Sequence, residues 1–254
     1  MRLTFPVWQA LLVILISFCA SFVQRVSGFG FGIFAMIFLP HITGHHIEAT
    51  VLSSAMSLIS TIYVSFVYRK NIKWRLVLTC VICSMVTTVL AVKFMSGKSS
   101  DILCALLGGV LIFLSIYYIF WSGKLKPRES LPASAVAGGL SGIMGSLFAM
   151  AGPPMVIYLT GVTTSKLDYI ATIQCFFCLN GMFTLGVKAF AGYFTLEVVK
   201  LAIPGIAGLF AGNFIGGKVY DRLDSAKLKK AIYIFMAVSG AVTLINSLLK
   251  LFGK

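Results

Sequence analysis

Apolar runs of about twenty residues recur along this chain, and each is long enough to cross the hydrocarbon core of a bilayer as one helix. They cover 7–24 and 47–68, continue in a third run that reaches 92, and then 102–121. Beyond residue 132 the pattern resumes at 132–140, 168–190 and 196–217, with a last run ending near 250. The chain is 59% hydrophobic and 11% charged, with a mean hydropathy of +0.98. A soluble domain needs more polar surface than that. Alternating ten-residue segments, the mark of a membrane barrel, are absent. The fold class is therefore all-α: a polytopic membrane protein with eight spans by hydropathy.

One stretch interrupts this pattern twice. Ser27-Gly-Phe-Gly-Phe-Gly-Ile-Phe-Ala-Met-Ile-Phe-Leu-Pro40 returns in altered form as Ser141-Gly-Ile-Met-Gly-Ser-Leu-Phe-Ala-Met-Ala-Gly-Pro-Pro154. Ser27/Ser141, Gly28/Gly142, Phe34/Phe148, Ala35/Ala149, Met36/Met150 and Pro40/Pro154 coincide at one fixed offset. Ala49-Thr50 is echoed by Ala171-Thr172 in the helix that follows each motif. The chain thus divides into two homologous halves, 1–121 and 132–254, joined by a basic linker at 122–131. Glycines and a proline inside a hydrophobic segment predict a broken membrane helix. Paired breaks in two repeats point to a transport site.

Net charge is +14. Its first meaning is topological, since basic loops are held on the cytoplasmic side. It also favours an anionic solute over a cationic one at the protein's mouth. No separate basic domain exists for nucleic acid. If each motif crosses most of the membrane, each half has five passes and the halves are inverted. The basic residues near 25, 69–75, 122–130, 166 and 218–230 then share one side. That five-plus-five arrangement satisfies the positive-inside rule better than eight spans do. The first apolar run continues straight into the first motif, so it reads as an uncleaved span rather than a signal peptide. Cys80/Cys83 and Cys175/Cys178 have CxxC spacing, but they fall on apolar helices and read as small buried side chains. No cofactor or metal is expected.

The chemistry follows from the breaks. Backbone groups freed inside lipid survive only where protein or a wet cavity satisfies them. N–H groups at the start of a half-helix present partial positive charge, which suits an anion. Gly28, Gly30, Gly32, Gly142, Gly145, Gly152 and Pro153 are the backbone candidates for such a site. Ser27, Ser141 and Ser146 can donate hydroxyl hydrogens to an oxyanion, and Gln174 and Asn180 are amides in an otherwise apolar helix. Arg25 is the nearest cation to either motif. His41, His45 and His46 read as a loop cluster without a coupling role. All seven carboxylates lie at helix ends or in loops, so none sits mid-span as a proton relay or sodium ligand would. Gly208, Gly212 and Gly216 form a helix face for close packing. There is no nucleotide motif and no catalytic constellation, so the chain does not read as an enzyme.

These residues resemble the TauE/SafE sulfite-exporter-like transporters, also known as TSUP. The resemblance is carried by Ser27-Gly-Phe-Gly-Phe-Gly with Pro40, and by Ser141-Gly-Ile-Met-Gly with Gly152-Pro-Pro154. Ile72-Lys-Trp-Arg75 and Pro204…Gly212-Asn-Phe-Ile-Gly216 followed by Arg222-Leu support it. It implies a multi-pass carrier of the bacterial inner membrane for small anions, often sulfur oxyanions or sulfonates such as sulfite and sulfoacetate. Many members carry consecutive glycines in both motifs, whereas phenylalanine and methionine are interspersed here. The expected partners are a small anion and the lipid bilayer, with a coupling ion (proton or sodium) and a homodimeric assembly left open. A passive anion channel, and a membrane enzyme or assembly factor without transport, are the readings from other classes.

Overall fold

The computed structural model describes residues 7–121, 124, 127–219 and 225–252. The described residues form ten α-helices and one short 3-10 turn at Arg69–Asn71, with no strands. The helices are α1 (Val7–Ser27), α2 (Phe31–Thr43), α3 (His46–Val67), α4 (Trp74–Met95) and α5 (Ser100–Phe120). After the linker come α6 (Leu131–Phe148), α7 (Gly152–Val162), α8 (Lys166–Phe190), α9 (Leu196–Val219) and α10 (Ser225–Phe252). Eight of them are long and apolar enough to cross a membrane. The two exceptions are α2, with 13 residues, and α7, with 11. At 1.5 Å per residue neither reaches across about 30 Å of hydrocarbon.

Local signals explain the boundaries. Ser99, Ser130 and Ser165 each cap the following helix, their hydroxyls accepting from the amides of Ile102, Ala133 and Leu167. Such caps satisfy donors that have no intrahelical partner. Pro132 sits in the first turn of α6, where its missing N–H costs nothing. Gly44, with φ 73, ends α2 by returning its N–H to the Pro40 carbonyl. Pro40 itself lies inside α2 rather than at a break. Much of the chain's exposed apolar surface faces outward in stripes, such as Leu78, Ile82 and Val86 on α4 and Phe210 and Phe214 on α9. In water such a surface would aggregate; in a bilayer it is the lipid face.

The five helices before the linker and the five after it share one order of lengths: long, short, long, long, long. Neighbours exchange in the same way. The α1 helix packs on α9 as α6 packs on α4, and α3 meets α9 as α8 meets α4. The pairs α3–α8 and α5–α10 join the two sets directly. The most extensive helix pairs all cross the linker, so the two sets build one body. Residues 122–123, 125–126 and 220–224, parts of the linker and of the charged loop, lie outside the described residues.

Glycine makes these close pairings possible. A Cβ on Gly208 or Gly212 would strike the backbone of Ile14 or Phe18 in α1. One on Gly138 or Gly142 would strike Cys80 or Ser84 in α4. At the α5–α10 crossing, Gly108 and Gly240 face each other's carbonyls. A Cβ at Gly108 would lie 2.7 Å from the Gly240 oxygen, while its neighbour Gly109 has open space. Without a hydrophobic force between helices in lipid, such close approach is a main source of packing energy. Gly108→Ala should therefore lose about 1–3 kcal/mol through overpacking. Gly109→Ala should be neutral or gain up to about 1 kcal/mol from helix propensity. Thermal unfolding of the two variants in the same detergent separates them: only Gly108→Ala should melt earlier than the parent.

Candidate functional site

Two interruptions of the helical backbone meet at the centre of the protein. The first lies between α1 and α2, at residues 28–30, where Gly28 (φ 84) and Gly30 (φ 107) both take the left-handed conformation. The second lies between α6 and α7, at residues 149–151, where Ala149 does the same with φ 54. Ala149 closes α6, its amide donating to the Gly145 carbonyl. The two interruptions interlock. The Ala149 carbonyl rests against the Cα of Gly32, so closely that no Cβ fits there. In return, Phe29 covers Gly152, where a Cβ would sit 3.4 Å from the phenylalanine Cβ.

Between them lies a cavity of about 60 Å³. That is room for several waters or one small oxyanion. The starts of α2 and α7 both border it, through Gly30–Ile33 and Ala151–Pro153. They are not equal donors. Phe31, Gly32 and Ile33 precede the first intrahelical donor of α2, Phe34, whose amide bonds the Gly30 carbonyl at 3.0 Å. At α7, Pro153 and Pro154 have no N–H, which leaves Gly152 as the single donor of its first three helical positions. The first helix end can hydrogen-bond an anion; the second contributes mainly its dipole.

The polar side chains of the wall come from three helices. Gln24 of α1, Ser54 and Ser57 of α3, and Asn180 and Thr184 of α8 line it, with Gly145 of α6. Gln24 and Thr184 are buried, and the Gln24 Oε1 and Thr184 Oγ1 atoms have no hydrogen-bond partner. An unpartnered polar atom in a low-dielectric interior is costly, and a polar solute in this cavity would relieve the cost. Asn180 is oriented by α4: the Ser84 hydroxyl donates to its Oδ1 at 2.6 Å. The Asn180 amide nitrogen then lies beside Gly145, facing the cavity. Neither a cationic nor an anionic side chain borders the space.

Of the residues expected from sequence, Gly30, Gly32, Gly145, Gly152, Pro153 and Asn180 come together at this cavity. Of the others, those with described side chains do not line it. Gly28 shapes the first interruption, and its carbonyl accepts from Gln174 Nε2 at 3.4 Å. Gly142 is an interior residue of α6 that seats α4, not a backbone opening. Ser146 donates to the Gly142 carbonyl at 2.7 Å, and the buried Ser141 hydroxyl has no partner. Arg25 is exposed, its stem lying over Gly216 and Gly217 of α9. Ser27 is the last residue of α1, and its side chain lies outside the described residues. His46 is not a loop residue: it opens α3, is 1% exposed, and its Nε2 meets the Leu147 carbonyl at 2.7 Å.

Sequence reasoning missed Gln24, Ser54, Ser57 and Thr184, ordinary polar residues with no motif around them. It also missed Lys188, fully buried near the end of α8. Gly30 carries the sharpest backbone demand of the site. Gly30→Ala should cost about 1–3 kcal/mol in backbone strain. Gly186→Ala, at a helical position with open space, should not. Melting temperatures of the two purified variants test this difference.

A family model described as "Sulfite exporter TauE/SafE" matches residues 13–243. No protein with a curated description matches the chain, and no solved structure does.

Proposed function

The chain belongs to the sulfite exporter TauE/SafE family, and from that premise we propose that it is a secondary transporter of a small sulfur-containing oxyanion or sulfonate. It is a multi-pass membrane protein of a transporter family, and the solute class and mechanism are our reading. The observation that carries it is the central cavity, where two helix starts converge beside the unpartnered Thr184 hydroxyl and the Asn180 amide group of α8. Such a site offers a tetrahedral or pyramidal oxyanion several hydrogen-bond donors at once. It does so without a fixed charge at the membrane centre, where a bare lysine or arginine is expensive.

Alternating access fits the way the helices pair. The exchange pattern of neighbours is what an inverted repeat of two five-helix units would produce. In that arrangement each short helix carries one side of the site, and rocking of one unit against the other opens it to opposite faces in turn. The interlock of Phe29 on Gly152 and of Ala149 on Gly32 is then the contact that must open and re-form. A channel would need a continuous open path instead, and the interlock of the two interruptions stands across the centre of the protein. The bacterial inner membrane is the location that the family resemblance implies.

Reconstituted protein should exchange labelled sulfite or thiosulfate for unlabelled anion inside liposomes, with saturation and trans-stimulation. Absence of trans-stimulation with sulfite, thiosulfate, sulfoacetate, taurine and simple carboxylates alike would overturn the reading. Thr184→Val removes one hydroxyl at nearly constant volume. The loss of one hydrogen bond, about 1–1.5 kcal/mol, should weaken anion affinity roughly tenfold. Gly152→Leu should fill the cavity and abolish exchange in protein that still elutes as a folded species.

A further inference from the structure

The polar wall of the central cavity does not stop at the cavity. Helices α3 and α8 run antiparallel: Leu58 lies beside Gly181, and eight residues back along α3, Thr50 meets Lys188. On α8 the cavity-facing stripe Phe177, Gly181, Thr184 continues one turn further to Lys188. On α3 the facing stripe runs from Ser57 and Ser54 through Thr50 to His46. These stripes form a polar seam leading away from the cavity. Its far end opens on a second cavity of about 70 Å³, bordered by His46, His41, Asp101, Asn246 and Lys250.

Lys188 is the unusual member. It is 0% exposed, and its Nζ has one hydrogen bond, to Thr50 Oγ1 at 3.0 Å. The Thr50 hydroxyl hydrogen is committed to the Ile47 carbonyl at 2.7 Å, so Thr50 can only accept from the lysine. The Lys73–Asp168 salt bridge lies at the other end of α8, and among the described residues no carboxylate pairs with Lys188. A buried ammonium with a single hydroxyl partner is poorly supported, whereas a neutral amine donating one hydrogen is well supported. An anion arriving one helical turn away reverses the balance, because the two opposite charges then stabilise each other.

His46 completes the route. Its Nε2 faces the Leu147 carbonyl, an acceptor, so Nε2 carries the hydrogen and Nδ1 is bare. Nδ1 points toward Cys104 Sγ at 3.7 Å, on the side of the second cavity. Leu147 lies two residues before the Ala149 turn, which links the imidazole mechanically to the second interruption. The other titratable groups around this end are Cys104 and Asp101 from α5, Lys250 from α10 and His41 from α2. Glu48 follows on α3, with Glu197 of α9 near it. Helix α6 presents the Leu147 carbonyl and the edge-on Phe148 ring, neither of which titrates.

We propose that Lys188 is the proton-coupling site of this transporter, reached from the second cavity along the seam past His46, so that one proton binds with each anion. The proposal rests on the transport reading of the central cavity. When an anion enters, an N–H bond forms at the Lys188 amine and an O–H bond breaks in a hydronium of the second cavity. The ammonium then balances the anion, and the proton returns to water when the anion leaves.

Thiosulfate is the probe, because its charge is constant over the pH range used. In liposomes holding a pH-sensitive dye, wild-type thiosulfate entry should carry protons in the same direction. Its apparent affinity should rise up to tenfold per unit fall in pH. Lys188→Arg, with a permanent charge, should still exchange thiosulfate, more slowly, but without proton movement and without pH dependence. Lys188→Met should weaken thiosulfate binding at least tenfold, and His46→Gln should slow proton entry. Retention of the wild-type pH dependence by folded Lys188→Arg would overturn the proposal. A second measurement does not depend on transport: NMR of protein labelled at lysine 13Cε, with the Lys188 signal assigned by its absence in Lys188→Met. That signal should move with pH while the protein stays folded, and a signal that stays fixed over the folded range overturns the proton site. If wild-type protein exchanges no anion of the panel, the transport reading falls, while the NMR titration still judges Lys188 by itself.

Discussion

The structure depends on one constraint: a backbone that leaves helical geometry inside a membrane must find partners within the protein. This chain leaves it twice, at 28–30 and at 149–151, and each departure is sheltered by the other. The Ala149 carbonyl lies on Gly32, and Phe29 lies on Gly152. Neither interruption could stand alone in lipid. The glycine-mediated pairs α1–α9, α4–α6 and α5–α10 hold the long helices close together around the two interruptions. Bulk at any of these crossings would push apart the helices that carry the interlock. Packing glycines far from the cavity therefore serve the same end as the conformational glycines beside it.

The central cavity has a definite electrostatic character. It is bordered by amide hydrogens, hydroxyls and an amide nitrogen, and by no charged side chain. A cation would find few acceptors there beyond the Gln24 oxygen and the hydroxyls. An anion would find donors on several sides. In a low-dielectric surround these oriented dipoles are worth more than they are in water, and they cost no permanent buried charge. Under the proposed anion-transport reading, the +14 net charge of the chain would bias which ions approach, and the neutral cavity would decide which are held.

Much of this was legible in the sequence, and the failures have physical causes. Hydropathy marked the long helices, and the paired glycine-proline stretches marked the region of the two interruptions. The register between the stretches was misleading. Identities align Gly28 with Gly142, but the chain opens at 28–30 and at 149–151, seven residues further along in the second stretch. Gly142 looks like Gly28 in sequence because glycine serves two needs in a membrane protein. At Gly30 it permits φ 107; at Gly142 it lets the α4 backbone approach. Composition cannot separate these uses; only the neighbour across the helix does. Gln24, Ser54 and Thr184 were invisible for a related reason. Each is unremarkable on its own helix and becomes a site residue only where four helices converge. Lys188 was hidden by its position. A lysine near a helix end reads as a side chain that reaches for the headgroups, and the fold instead turns it toward Thr50.

The two halves, then, are alike in plan and unlike in chemistry, and the unlikeness has direction. The start of α2 keeps three N–H groups for hydrogen bonding, whereas prolines strip all but one from the first turn of α7. The first interruption is built from glycines, and the second is capped by an alanine held left-handed through its bond to Gly145. The seam to the second cavity leaves from α3 and α8 on one side alone, carrying Lys188 and His46 with it. A two-fold plan with identical sites would bind an anion equally well from either face and would have no means of favouring a direction. By placing the donors on one half and the titratable seam at one end, this chain breaks the symmetry where binding and charge meet. His46 bonds the Leu147 carbonyl of the helix that ends in the second interruption. Any change of charge at the imidazole is thus felt by the backbone turn that closes the cavity. Under the transport reading proposed above, the common helix order would supply the motion, and the local departures from it would supply the direction.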